Sequence, residues 1–397
     1  MKKLATQSIP RYARACLEAV LNPPADVHKY SRGVAQLCAG SPAYPGAALL
    51  CARAAQRSGA GYTQLFTDAP RQSLQVAAPS LVVRALKSWE MPAHAPCALG
   101  IGSGFPPAAF VSFSASTALD ASPATSSSPA TSSSSAPSAS SASSAFQATL
   151  NALFARVQTY PYCIIIDGGA LSFLATEQGK QWADARAQHS LPLIITPHVG
   201  EAARLLASIS GTLPGNLYAH QPDEPTERKQ DVQTAAEPTA RKQDVQTAAE
   251  PMVSASEQGD RDNHTQRCCV PQHDAQNAPM SANHSLEQDA LRLSQYFSCC
   301  VCLKSANTVI ADQNAIATLT DGGVELAKAG TGDVLLGIIT ALCAQQLAPF
   351  DAALGGAYLH ALAGKFAADQ ADLVSVIPED VIAALPQAYA YVRSIHE

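Results

Sequence analysis

Short apolar runs alternate with amphipathic stretches along most of this chain. Val34 to Ala39, Tyr62 to Phe66, Ala98 to Ile101, Cys163 to Asp167 and Leu193 to Thr196 have the length and composition of buried strands. Gly46 to Arg57 and Phe146 to Tyr160 carry apolar residues at helical spacing. Thr196 followed by Pro197 reads as the N-cap and first position of a helix running to about Ile209. Leu286 to Phe297 predicts another helix, and Cys299 to Lys304, Thr308 to Ala311 and Ala315 to Leu319 predict strands. From Gly332 the pattern is helical through about His396, with breaks at Pro349 and Pro378. Strands alternating with helices predict an α/β fold, a mostly parallel central sheet with helices on both faces. In such sheets ligands gather at the carboxyl ends of the strands.

Two segments break the pattern. About residues 111–145 are almost wholly Ser, Ala, Pro and Thr, a composition that buries too little apolar area to offset ordering entropy. About residues 211–284 are polar and hold a tandem duplication. EPTERKQDVQTAA, Glu224 to Ala236, returns as EPTARKQDVQTAA, Glu237 to Ala249. Two copies are too few and too polar for a solenoid. The expected organisation is an N-terminal extension over 1–27 and a single domain over 28–397. Disordered low-complexity insertions interrupt that domain at about 111–145 and 211–284.

Composition narrows the function classes. A net charge of −6 leaves no basic field for nucleic acid or an anionic membrane. No apolar run approaches the ~20 residues of a membrane span. The start, MKKLATQSIP, lacks the apolar stretch of a signal peptide. The eleven cysteines are unpatterned. Cys38, Cys163, Cys299, Cys300, Cys302 and Cys343 sit in apolar runs and are expected to pack as small hydrophobes. No second pair stands at zinc-site spacing; Cys268 and Cys269 near His264 and His273 make a weaker metal reading. An odd count of unpatterned thiols fits a reducing cytoplasm.

The candidate chemistry lies in loops that follow strands or open helices. KAGTGDVLLG, Lys328 to Gly337, is a glycine-rich turn with a carboxylate ahead of an apolar helix. N–H groups at a helix start, with the positive end of its dipole, favour an anion such as phosphate. Asp333 at that point could take a proton from a hydroxyl. The other motifs are HKYSRG from His28, AGSPAYPGAALL from Ala39, LGIGSG from Leu99, IDGGALS from Ile166, TPHVGE from Thr196 and LKSANTVI from Leu303. Each residue also has a plainer role open to it. Asp333 could cap its helix, Ala47 and Ala48 could pack one, His198 could lie on the surface, and Lys304 could reach solvent. Glu201 suits a helix dipole with no further role.

In order and spacing these motifs resemble the NAD(P)H-hydrate dehydratase family of ribokinase-like repair enzymes. The resemblance covers about residues 28–110, 146–210 and 290–395. It implies a ribokinase-like three-layer sandwich. It also implies nucleotide-dependent dehydration of hydrated NADH or NADPH, by phosphorylation of the ring hydroxyl and loss of phosphate. By position, Asp333 would be the catalytic base and touch the substrate. Ala47, Ala48, Gly104 and His198 would contact the hydrated cofactor. Lys304, Ser305, Ala306, Asn307 and Thr308 would hold the nucleotide, with Gly330, Thr331 and Gly332 around the moving phosphoryl group. ADP or ATP as co-substrate and Mg²⁺ would be required. A second copy of the chain is left open as a partner. The family's hydrate epimerase domain has no room in the 27 residues ahead of the first motif. Pro45, Gly169, Ser172 and Ser305 depart from the family's usual residues at substrate and nucleotide edges. Two rival readings are a ribokinase-like kinase of a small vitamin precursor and a non-catalytic nucleotide-binding protein.

Loop closure becomes costlier only slowly with length. Replacing Pro214–Asn283 with a short Gly/Ser linker should therefore leave one cooperative unfolding transition near the parent Tm. Aggregation, or loss of that transition in a thermal melt, would show that the segment belongs to the fold.

Overall fold

The computed structural model describes residues 1–93, 96–106, 139–210 and 285–396, with side chains described outside 139–145. The two segments expected to be disordered lie outside these residues, with one exception. Helix α5 begins at Ala139, inside the first of them.

Ten strands form one sheet: β1 Lys2–Leu4, β2 Val34–Cys38, β3 Tyr62–Thr67, β4 Val82–Ala85, β5 Cys97–Ile101, β6 Cys163–Ile166, β7 Leu193–Ile195, β8 Cys300–Leu303, β9 Thr308–Ala311 and β10 Ala315–Leu319. Their order is β1-β10-β9-β8-β7-β6-β5-β2-β3-β4. From β4 to β8 every pairing is parallel; β9 is antiparallel to both its neighbours. The described helices are α1 Ile9–Cys16, α2 Glu18–Leu21, α3 Pro45–Arg57, α4 Arg71–Ala77, α5 Ala139–Val157, α6 Leu171–Leu174, α7 Glu177–Gln188, α8 Val199–Ile209, α9 Leu286–Phe297, α10 Thr331–Ala344, α11 Pro349–Ala371 and α12 Pro378–Ser394.

The strands are apolar throughout because both faces of the sheet are covered. Side chains alternate between two cores. Cys163, Ile165, Ile194, Cys300 and Cys302 enter the core under α3, α10, α11 and α12, while Ile164, Ile166, Ile195, Val301 and Leu303 enter the core under α5 to α9. The expected three-layer sandwich is therefore present, and the cysteines named from the apolar runs are all buried. Pro349 and Pro378 end nothing by themselves; each is the first residue of a helix, where its missing N–H is not needed.

Seven elements escaped the pattern reading: the short helices α2, α4 and α6, and β4, α7, β1 and α1. Strand β4 is short and half-buried at the sheet edge. Helix α7 is mostly polar. Strand β1 and helix α1 lie in the stretch read as an extension. There Lys2–Leu4 pairs parallel to β10, and Ile9, Ala13, Leu17 and Leu21, four apart, are buried against the C-terminal helices. Among the described residues no helix is long and apolar enough to cross a membrane.

Arg186 holds the turn between α5 and β6. Its side chain is fully buried, and its guanidinium donates to the carbonyls of Val157, Gln158, Tyr160, Tyr162 and Pro192 at 3.0–3.3 Å. Burial lowers its pKa to about 10, which still leaves it charged. Arg186→Leu would strand these carbonyls in an apolar core at about 1–3 kcal/mol for each buried group left unmet. Urea unfolding should show a loss of more than about 3 kcal/mol; an unchanged midpoint would mean the carbonyls find other donors.

Candidate active site

Because β5, β6, β7 and β8 are parallel and paired near their ends, the residues just past those ends meet. Ile101 pairs with Ile166, Ile166 with Ile195, and His198 bridges Lys304. Asp167 is thereby placed at the centre, 3% exposed. Its Oδ1 accepts from the Thr196 hydroxyl and from the Lys304 ammonium, both at 2.6 Å, and its Oδ2 lies 3.4 Å from the Ser103 hydroxyl. Gly102 makes this packing feasible. Its φ is +121°, and a Cβ there would overlap the Asp167 carbonyl.

Asp333 stands opposite, in the first turn of α10. The N-cap is Gly330, with φ 98° and no side-chain cap, so Asp333 is not the cap. Its carboxylate is half-buried and hydrogen-bonds Ser103 instead. Burial first, and then the charge of Asp167, push its pKa up to about 6, against the opposing pull of Ser103 and Lys304. Burial alone would lower the pKa of Lys304; the charges of Asp167 and Glu201 and the hydrogen bond to Asp167 outweigh it and raise it. The site thus pairs a cation fixed in its charged form with a carboxyl that titrates near neutrality.

A cavity of about 670 Å³ opens beside this cluster. Lys304, Ser305, Ala306 and Thr308 form one wall, and Thr331 and Gly332 another, with His198 at the edge. A Cβ on Gly332 would sit 3.3 Å from the Lys304 Nζ, so the helix start and the lysine face each other closely. The N–H groups of Gly332 and Asp333 lack intrahelical acceptors by their position in the first turn. That of Thr331 already donates to the Lys328 carbonyl at 3.3 Å, and the Thr331 hydroxyl to the Leu326 carbonyl at 2.7 Å. Thr331 therefore shapes the turn. Asn307 is exposed, and its carbonyl accepts from the Ser305 hydroxyl at 2.6 Å.

The residues expected at the hydrated cofactor separate into groups. Gly104 and Ala47 touch: a Cβ on Gly104 would lie 2.7 Å from that of Ala47. Gly104 follows Ser103, so this pair adjoins Asp333. Ala48 is fully buried and packs toward Gly40 in the core. His198, not Thr196, is the N-cap of α8. Its Nδ1 accepts from the N–H groups of Gly200 and Glu201 at 3.0 and 3.4 Å, and the Glu201 carboxylate accepts from the His198 N–H at 2.8 Å. Thr196 is drawn away because its hydroxyl serves Asp167. Burial, ahead of the opposing charge of Glu201, lowers the pKa of His198, consistent with an unprotonated Nδ1.

The departures at Gly169 and Ser172 have a local reason. A Cβ on Gly169 would overlap the Phe105 carbonyl, so no larger side chain fits this loop. The Ser172 hydroxyl donates back to the Gly169 carbonyl at 2.5 Å. Pro45 opens α3. Asp167, Ser103, Thr196 and His360 belong to the site although the motifs singled none of them out as ligands. For Asp167 and Thr196 the available signal was a polar residue directly after an apolar strand; Ser103 stands one glycine further on.

Residues 274–387 match the family described as NAD(P)H-hydrate dehydratase. The bifunctional NAD(P)H-hydrate repair enzyme Nnr of Thermofilum pendens is 25% identical over 374 residues, 94% of this chain and 52% of that protein. The enzyme of the same name from Helicobacter pylori is 51% identical over 61 residues, 15% of this chain and 13% of that protein. An ADP-dependent (S)-NAD(P)H-hydrate dehydratase of Cenarchaeum symbiosum is 33% identical over 95 residues, 24% of this chain and 33% of that protein. The chain thus spans about half or less of these relatives' lengths. Among solved structures, the ADP/ATP-dependent NAD(P)H-hydrate dehydratase of Bacillus subtilis, co-crystallised with ATP/Mg²⁺, superposes with a TM-score of 0.56 at 19% identity, covering 96% of this chain and 97% of that one. A ribokinase-like superfamily protein of Enterococcus faecalis gives 0.54 at 19% identity, covering 100% and 97%. In sequence over residues 274–387, and in fold over nearly its whole length, the chain resembles the ribokinase-like NAD(P)H-hydrate dehydratases.

Proposed function

We propose that this chain restores NADH or NADPH from its hydrate, with ADP or ATP as phosphoryl donor. The observation that carries the reading is Asp333, a half-buried carboxyl with a pKa of about 6 beside Lys304 and the start of α10. A group that titrates just below neutrality is ionised when needed, yet basic enough to take a proton. Asp333 would remove the proton from the ring hydroxyl as its oxygen attacks the terminal phosphorus and displaces AMP from ADP, or ADP from ATP. Lys304 and the N–H of Gly332 would offset charge on the phosphoryl oxygens. Phosphate then leaves with the C–O electron pair, the adjacent ring carbon gives up a proton to water, and the double bond returns. His198, Gly104 and Ala47 would border the hydrated ring, and Ser305 to Thr308 the nucleotide.

Among the described residues no three His, Cys, Asp or Glu side chains stand close enough to hold a metal alone. Mg²⁺ carried on nucleotide phosphates and water needs only one or two carboxylates from the protein. Bound there it would neutralise phosphate charge. Excess EDTA should therefore stop turnover.

The direct test incubates the protein with NADH hydrate, ADP or ATP, and magnesium, and follows the absorbance of restored dihydronicotinamide. Phosphate ester without restored absorbance would favour the kinase reading instead. Asp333→Asn should lower turnover by about two orders of magnitude or more, and kcat/KM of the parent should rise with pH through about 6.

The same substitution makes an independent prediction about stability. The folded pKa of Asp333, about 6, exceeds its ordinary 3.8, so the fold prefers the protonated form. That preference stabilises fully below about pH 3.8 and is lost as pH rises through about 6. Asn cannot ionise. Asp333→Asn should thus raise Tm at pH 7.5, and the gain should shrink toward pH 4. A lower Tm for the variant at pH 7.5 would mean that ionised Asp333 stabilises the fold.

A further inference from the structure

We propose that Lys328 is a further phosphate-binding residue of the site, its ammonium leaving the Val374 carbonyl for a phosphate oxygen of the donor nucleotide. This rests on the nucleotide-dependent reading above. Lys328 lines the 670 Å³ cavity together with Lys304, and no Asp or Glu is among the lining residues. In a chain of net charge −6, a cavity lined by two lysines and no acid is suited to a polyanion.

The uncompensated charge of that lining is on Lys328. Lys304 is ion-paired with Asp167 at 2.6 Å. Burial holds the pKa of both lining histidines, His198 and His360, below the ordinary value, that of His360 at about 4, so neither ring adds charge near neutrality. Lys328 forms no ion pair among the described residues. Its Nζ donates instead to the Val374 carbonyl at 2.7 Å, a neutral acceptor in the loop between α11 and α12. An ammonium has three N–H groups, and this bond uses one.

Exchanging that carbonyl for a phosphate oxygen is favourable. A hydrogen bond between two charged groups is roughly twice as strong as one between neutral groups. Val374 is 77% exposed, so water can replace the ammonium at its carbonyl. The lysine stem is flexible, while its base is fixed. The Lys328 carbonyl accepts from the Thr331 N–H at 3.3 Å and shares the Thr331 hydroxyl with the carbonyl of Leu326. Lys328 is thereby tied to the first turn of α10, where Gly332 faces Lys304. A nucleotide whose terminal phosphate lies between Gly332 and Lys304 has its inner phosphates in the same cavity. Among the described residues, Lys328 is the unpaired cation that lines it.

The test is calorimetric binding to the full chain, with ADP, adenosine and NADH as probes. Lys328→Met keeps a flexible stem and removes the charge. It should weaken ADP binding about tenfold or more, the scale of one hydrogen bond to a charged group, and leave adenosine and NADH unchanged. ADP affinity should also fall more steeply with added NaCl in the parent than in the variant. Equal ADP affinity in parent and folded Lys328→Met overturns the proposal. So does an equal loss for adenosine, which would mark a distorted cavity. A loss confined to NADH would assign the lysine to the hydrated cofactor and overturns it too. If the variant does not fold, the parent decides. Saturating ADP should slow acetylation of Lys328 by acetic anhydride severalfold, read by peptide mass spectrometry, and adenosine should not. Equal labelling with and without ADP, or equal slowing by adenosine, overturns the proposal. A parent that binds ADP through Lys328 but restores no NADH sinks the dehydratase reading alone. A parent that binds no ADP sinks both.

Discussion

Asp167, nearly inaccessible at the end of β6, takes the hydroxyl of Thr196 and the ammonium of Lys304 on one oxygen and faces Ser103 with the other. Three neighbouring strands are pinned through this one carboxylate. A buried charge is tolerable only when paired and hydrogen-bonded, and removing one partner leaves the other uncompensated. The pairing also propagates outward. Asp167 keeps Lys304 cationic and, by its charge, makes Asp333 harder to ionise. The site's acid–base character is therefore set by burial first, and then by a residue that need not touch the reacting atoms.

The close approach of backbones supports this arrangement. Gly102 allows the β5 loop to lie against the Asp167 carbonyl, and Gly169 allows the next loop to lie against that of Phe105. Gly332 leaves room between α10 and Lys304. A helix start, a strand-end lysine and a strand-end aspartate can share one small volume only because side chains are absent at these positions. The helix α10 that carries Asp333 is itself buried along nearly its whole length against β2, β5 and α3. Its first turn is thus held rigidly over the strand ends, which suits a group whose pKa depends on distance.

Much of the fold was legible because its signals are local. Continuous apolar runs mark strands buried on both faces, and the spacing in Leu286–Phe297 marks a helix. The turn Gly330–Gly332 ahead of Asp333 announced a helix start with a carboxylate. The errors came where a side chain has two competing uses. Thr196 before Pro197 has the form of a helix N-cap, but its hydroxyl is taken by Asp167, and His198 caps α8 instead. Ala47 and Ala48 are adjacent and alike in sequence, yet one borders Gly104 and the other is sealed in the core.

The sequence by itself determined the alternation of strands and helices, the segments that interrupt it, the resemblance to a dehydratase family and the identity of Asp333 as the carboxylate to watch. Each of these depends on residues close together in the chain. Tertiary structure alone decided that Asp167, Ser103 and Lys304 meet, that Asp333 titrates near 6, and that His360 lines the same cavity as Lys304. These depend on which strands lie side by side and on how much water is excluded between them. Asp167 and Lys304 are 137 positions apart, and no local pattern encodes a contact across that separation.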